Sequence, residues 1–124
     1  MLGNLKPSAT VAVRDLAAAR AFYENVLGLR AENDGQEMGV VTYRHGDVLL
    51  FVYVSDHAGT NQATSVTWVV DSDIEGLVER LKTKGIVFEH YDMGDRRGDL
   101  HIAGGTKAAW FKDPDGNIHA LVGG

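Results

Sequence analysis

Ala109-Trp110-Phe111-Lys112-Asp113-Pro114-Asp115-Gly116-Asn117-Ile118-His119-Ala120-Leu121-Val122 reads as strand, tight turn, strand. The apolar run ends at Lys112, and Asp-Pro-Asp-Gly-Asn supplies the turn chemistry. Pro114 presets one φ, Gly116 accepts φ > 0, and the Asp and Asn side chains can bond nearby backbone. Ile118 to Val122 then forms the returning strand. An earlier stretch, Val40 to Val52, echoes this pattern, with Gly46-Asp47 standing where Gly116-Asn117 stands later.

The echo extends upstream. Thr10 to Asp15 leads into a helical pattern closed by Gly28, and Ser65 to Asp71 leads into another closed by Gly85. Each half reads strand, helix, three strands, so the chain is an internal duplication. Module one covers about 7–54, a polar linker 55–64, and module two about 65–122, all within one domain of 124 residues. In the first half, Asp15 is placed to cap a helix carrying Leu16, Ala19, Phe22, Tyr23, Val26 and Leu27 at helical spacing. Strands are expected near Leu29–Asn33, Met38–Tyr43 and Asp47–Val54. In the second half, Ser72-Asp73-Ile74-Glu75 has capping-box spacing, and Ile74, Leu77, Val78 and Leu81 make the buried stripe. Ile86–His90 is the next strand. Asp92–Asp99 is too polar and glycine-rich for a packed element and reads as a mobile loop. The fold class is α+β: two βαβββ modules side by side in a curved, mostly antiparallel sheet, with helices on the convex face and a ligand pocket in the concavity.

Composition narrows function by exclusion. A net charge of −5 without a long Lys/Arg run argues against nucleic-acid or anionic-membrane partners. The absence of cysteine removes disulfides, thiolate metal sites and a cysteine nucleophile. No apolar run approaches the roughly 18 residues of a spanning helix, and no secretory h-region opens the chain, so a cytoplasmic location is expected. Phosphate-loop, dinucleotide and nucleophile-elbow patterns are missing. Asp113 and Asp115 read as turn formers rather than a catalytic pair, and Arg96 and Arg97 as solvated loop residues.

Asp15…Phe22-Tyr23-Glu24-Asn25-Val26-Leu27-Gly28-Leu29 resembles the opening motif of the vicinal oxygen chelate superfamily, and Phe111-Lys112-Asp113-Pro114-Asp115-Gly116-Asn117 resembles its closing signature. That superfamily contains glyoxalase I, extradiol dioxygenases, and fosfomycin- and bleomycin-resistance proteins. The resemblance implies a homodimer. It also implies four positions, on the first and last strand of each half, where metal-dependent members place His, Glu or Gln. Here those positions carry Ser8, Leu50, Ser65 and Ala120. Hydroxyls are poor ligands for a divalent ion and hydrocarbon side chains offer none. No metal and no other cofactor is therefore expected.

By strand alternation the concave face is lined by Ser8, Thr10, Leu50, Val52, Ser65, Thr67, Ile118 and Ala120, with Trp110 and Tyr43 beside it. That mixed apolar and hydroxyl surface suits a small organic molecule. His119 alternates to the helix side as a histidine hydrogen-bonded to a neighbour. His90 and His101 lie near strand ends within reach of the concavity. Two readings follow: a metal-free small-molecule-binding protein, or a superfamily enzyme (lyase, isomerase or dioxygenase) using a non-standard metal site or one of these histidines.

Overall fold

A computed structural model describes all residues from Met1 to Gly124. Strand β1 (Ala9–Val13) leads to Asp15, whose carboxylate accepts the N–H groups of Ala17 at 2.9 Å and Ala18 at 3.2 Å. This cap starts α1 (Leu16–Arg20), which widens into a π-helical turn over Ala21–Val26. There the Leu27 N–H donates to the Phe22 carbonyl, five residues back, at 3.0 Å. Gly28, with φ at +79°, ends the helix. The Leu29–Asn33 stretch is not a strand. It contributes one isolated bridge, Ala31 to Tyr43, while the Asn33 side chain bonds the backbone of Val40 and Thr42. Strands β2 (Val40–His45) and β3 (Val48–Val54) complete the first half, joined through Gly46-Asp47.

After the linker, β4 (Thr64–Val69) precedes α2 (Ile74–Thr83). The cap of α2 is Asp73, not Ser72. Asp73 sits at φ +51° and accepts the Gly76 N–H at 3.0 Å. The strand expected over Ile86–His90 shortens to β5 (Phe88–Glu89). The polar stretch expected as a loop is instead half of a hairpin. Strand β6 (Asp95–Arg97) pairs with β7 (Leu100–Ala103), and backbone pairing holds its exposed arginines where composition offers no apolar signal. Strands β8 (Thr106–Lys112) and β9 (Ile118–Gly123) flank the Asp113–Asn117 turn.

The first-half strands lie in the order β1-β3-β2 and the second-half strands in the order β4-β9-β8-β7-β6, with β5 on β8. Only β1/β3 and β4/β9 are parallel. Two apolar clusters fill the helix side of these sheets, one on Val11, Val13, Tyr23, Val41 and Val52, the other on Ile74, Val78, Leu81, Phe88 and Phe111. Phe22, Leu27 and Trp68 pack against both and join the modules. The closing turn adds polar links, with the Asn117 amide donating to the Ala12 carbonyl at 2.7 Å and the Arg14 N–H to Asp115 at 3.1 Å. The linker also docks here. Ala58 is buried, and Gly59 approaches so closely that a Cβ would stand 2.0 Å from the Asp115 carbonyl oxygen.

Candidate functional site

Strand register decides which side chains face away from the helices. Thr10 and Thr42 both lie beside Phe51, whereas Val11 and Val41 lie beside Val52. The valines are buried in the first cluster, so Thr10, Thr42 and Phe51 occupy the open face. Leu50 pairs with Tyr43 and joins the same cluster. Leu50, Val52 and Tyr43 thus point to the helix side, which corrects the placement of all three on or beside the concave face. Phe51 takes their place. The physical reason is turn phase. Strand β2 enters its two-residue turn at His45, on the core phase, while β8 enters the five-residue turn at Lys112, on the open phase. Counting equal steps from each glycine therefore lands on opposite faces.

In the second half the expected residues do share the open face. Thr67 lies beside Ala120, which lies beside Trp110. Ser65 sits in an irregular step of the β4/β9 ladder, and its hydroxyl accepts the Asn61 amide at 3.3 Å. Ser8 is half-buried just ahead of β1. The open-face neighbours of Leu50, Leu49 and Phe51, are as devoid of donors as Leu50 itself. No three His, Asp or Glu side chains converge anywhere in the molecule. The residues at the family's ligand positions do not fit a divalent ion.

The histidines separate by face. His119 is fully buried on the helix side and occupies a bonded chain. The Trp68 indole N–H donates to its Nδ1 at 3.0 Å, and the Tyr23 hydroxyl lies 2.9 Å from its Nε2 and 2.7 Å from Asp113 Oδ2. Indole nitrogen can only donate, so Nδ1 is unprotonated, Nε2–H donates to the Tyr23 oxygen, and Tyr23 O–H donates to Asp113. Asp113 also accepts the N–H groups of Asp115 and Asn117 and the Asn117 amide, as a turn former does. Burial lowers the His119 pKa to about 4, opposed weakly by the Asp113 charge. Burial, then the neighbouring Asp113, pushes the Tyr23 hydroxyl well above its ordinary value. This chain sets a neutral His119 and a neutral Tyr23 against the Asp113 carboxylate.

His101 lies on the open face of β7, across from Arg96 and Ala108 and edge-on to Trp110, with ring centroids 5.0 Å apart. Only 4% of it is exposed. Its Nε2 lies 2.9 Å from the Tyr91 nitrogen and 3.0 Å from the Tyr91 oxygen, and its Nδ1 has no partner. Neither tautomer satisfies Nδ1. His90 is exposed and bonded to Asp99 at 2.8 Å. The hydrogen bonds from His90 and Lys82 hold the Asp99 carboxyl below its ordinary range. Tyr23 was visible in sequence as part of a motif, but Trp68 and Phe51 carried no signal beyond an apolar residue in a strand.

The model of one protein family, the Glyoxalase/Bleomycin resistance protein/Dioxygenase superfamily, matches residues 7–121. Among solved structures, lactoylglutathione lyase from Agrobacterium tumefaciens is similar at 21% identity and a TM-score of 0.68, over 97% of this chain and 93% of that one. The fosfomycin resistance protein FosX from Listeria monocytogenes is similar at 15% identity and a TM-score of 0.71, over 97% and 93% respectively. An integron cassette protein from the mobile metagenome of a Halifax Harbour sewage outfall gives 17% identity and a TM-score of 0.70, over 96% and 99%. At these identities the likeness establishes the shared α+β fold. No curated protein sequence matches. No helix is long and apolar enough to cross a membrane.

Proposed function

The chain belongs to the Glyoxalase/Bleomycin resistance protein/Dioxygenase superfamily, and we propose that within it this protein binds a small organic molecule without the superfamily's metal ion. The observation that carries this reading is the donor set. Ser8, Ser65 and Ala120, with Leu49, Leu50 and Phe51 at the remaining position, offer two hydroxyls and otherwise hydrocarbon. The ligand rests on the open face, where Thr10, Thr67 and Ser8 supply directed hydrogen bonds and Phe51 and Trp110 supply flat apolar surface. The working unit is one glyoxalase-like domain, with modules 7–54 and 65–122 and linker 55–64, acting as a cytoplasmic homodimer. Elemental analysis of purified protein, followed by a ligand screen read by the Trp110 indole N–H resonance before and after chelation, tests this. Saturable binding indifferent to chelator is expected. A stoichiometric divalent metal whose removal abolishes binding or turnover would end the proposal.

A second reading, a superfamily enzyme, is supported by one observation: the unpartnered Nδ1 of His101 beside Trp110. Because that nitrogen is buried under Tyr91 and Trp110, this reading also requires the cover to part so that a bound substrate can exchange a proton with it. This reading requires a measurable turnover that His101→Asn reduces at least tenfold. Turnover unchanged in that variant would eliminate His101 from it.

A further inference from the structure

Two adjoining cavities flank the junction of the halves, one on the helix side of the sheets and one at the turn end of β2 and β3, where residues of both faces line it. One, of about 210 Å³, lies between the end of the π-helical turn and α2 and is lined only by apolar residues, among them Leu27, Leu77, Leu81 and Leu121. The other, of about 260 Å³, opens beside β2 and β3 and includes Arg30, Arg44 and His45. Leu29 and Trp68 line both. We propose that these two cavities form one site for an amphiphilic carboxylate, its hydrocarbon tail in the apolar cavity and its anionic head at Arg30 and Arg44.

This cavity is open to solvent on one side, so its wholly apolar lining stays in contact with water until a guest covers it. A dry apolar cavity of about 150 Å³ already takes up benzene, so the space is adequate for a short alkyl chain or a single ring. Every residue of that lining is apolar or aromatic, which selects hydrocarbon. The head group is selected by charge. Arg30 is exposed and has no carboxylate partner. Arg44 engages Glu32 through its ε-nitrogen, which leaves its terminal nitrogens available for a second anion. On a chain with a net charge of −5, Arg30 is an unpaired cation at this mouth. The shared wall is held in place, because the Trp68 indole is bonded to His119 at 3.0 Å.

Sodium octanoate, below its micellar concentration, is the probe, with 1-octanol and acetate as controls for tail and head. Binding is followed by two-dimensional NMR, in which the indole N–H groups of Trp68 and Trp110 report separately on the two faces. Octanoate should bind saturably, shift Trp68 and the Leu77 region, and leave Trp110 unmoved. Acetate should show no saturation, and octanol should bind at least fivefold more weakly than octanoate. Leu77→Trp, which fills the apolar cavity, should abolish binding. Arg30→Glu, an exposed change that leaves the cavity intact, should weaken octanoate about tenfold and octanol hardly at all. Shifts confined to the Trp110 face, or affinity untouched by Arg30→Glu, would overturn the proposal. So would sedimentation data in which Leu77→Glu dissociates a dimer that octanoate cannot enter, since the cavity would then be a chain-to-chain interface.

Discussion

His119 makes the fold acid-sensitive in a defined window. Its folded-state pKa is lowered to about 4 from an ordinary 6.5 because the ring is buried, and its Nδ1 is the acceptor for Trp68. A proton on Nδ1 would therefore face a donor. The unfolded chain takes up that proton as pH falls below 6.5, while the folded chain refuses it until about 4. The contribution to stability is thus complete above 6.5 and lost progressively down to about 4. With about 1.4 kcal/mol for each unit of pKa difference, the loss is about 3 kcal/mol, a large share of the roughly 5–15 kcal/mol typical of a domain. Urea unfolding followed by circular dichroism at several pH values from 7.5 to 4 measures it. His119→Gln cannot titrate but keeps an amide donor for Tyr23. It should be less stable at pH 7.5 by about 1–2 kcal/mol, for the lost Trp68 acceptor. Its stability should also fall less steeply between pH 6.5 and 4, by about 3 kcal/mol over the window. The carboxylates of Glu24, Glu75 and Asp99, also lowered by their cationic partners, contribute the same acid loss to both proteins and cancel. Equal slopes for wild type and His119→Gln would refute the reasoning.

Tyr23→Phe should cost about 1–3 kcal/mol, because it leaves the buried Nε2–H of His119 without an acceptor and takes one of two donors from Asp113 Oδ2; thermal denaturation measures it. Gly59→Ala should destabilise by more than about 2 kcal/mol, since φ is +73° and the new methyl would meet the Asp115 carbonyl oxygen at 2.0 Å; a chemical-denaturation midpoint close to wild type would contradict the close approach. The two faces of β3 and their neighbours can be separated by substitution. Leu50→Ala and Val52→Ala should lower stability, the former by about 2–5 kcal/mol, with ligand affinity retained. Thr67→Val, an exposed change, should weaken ligand binding while the denaturation midpoint moves little, and Trp110→Ala should weaken it at least tenfold with a separate loss of stability from its packing on Tyr91 and His101. Isothermal titration with whatever compound the screen identifies, paired with unfolding curves, reads both quantities.

Local chemistry was legible without coordinates. The Asp113–Asn117 turn, the Asp15 cap and the left-handed glycines at 28 and 85 each depend on neighbours in sequence, and a resemblance carried by Phe22-Tyr23 and the closing turn led to the family. Strand alternation also put His119 on the helix side correctly, because side chains in a strand must alternate. What remained hidden depended on partners far along the chain. Leu50 faces the core rather than the open surface because β2 and β8 reach their turns in opposite phase, which only the pairing register fixes. Arg96 and Arg97 form a strand because β7 offers them a ladder, not because their side chains favour one. The tautomer of His119 is set by Trp68 and Tyr23, which stand 51 and 96 residues away. The two cavities adjoin at Leu29 and Trp68, which lie 39 residues apart and line both. Sequence dictates contacts a few residues apart, where the backbone itself brings groups together; packing decides the rest, since distant groups meet only once the whole chain has folded.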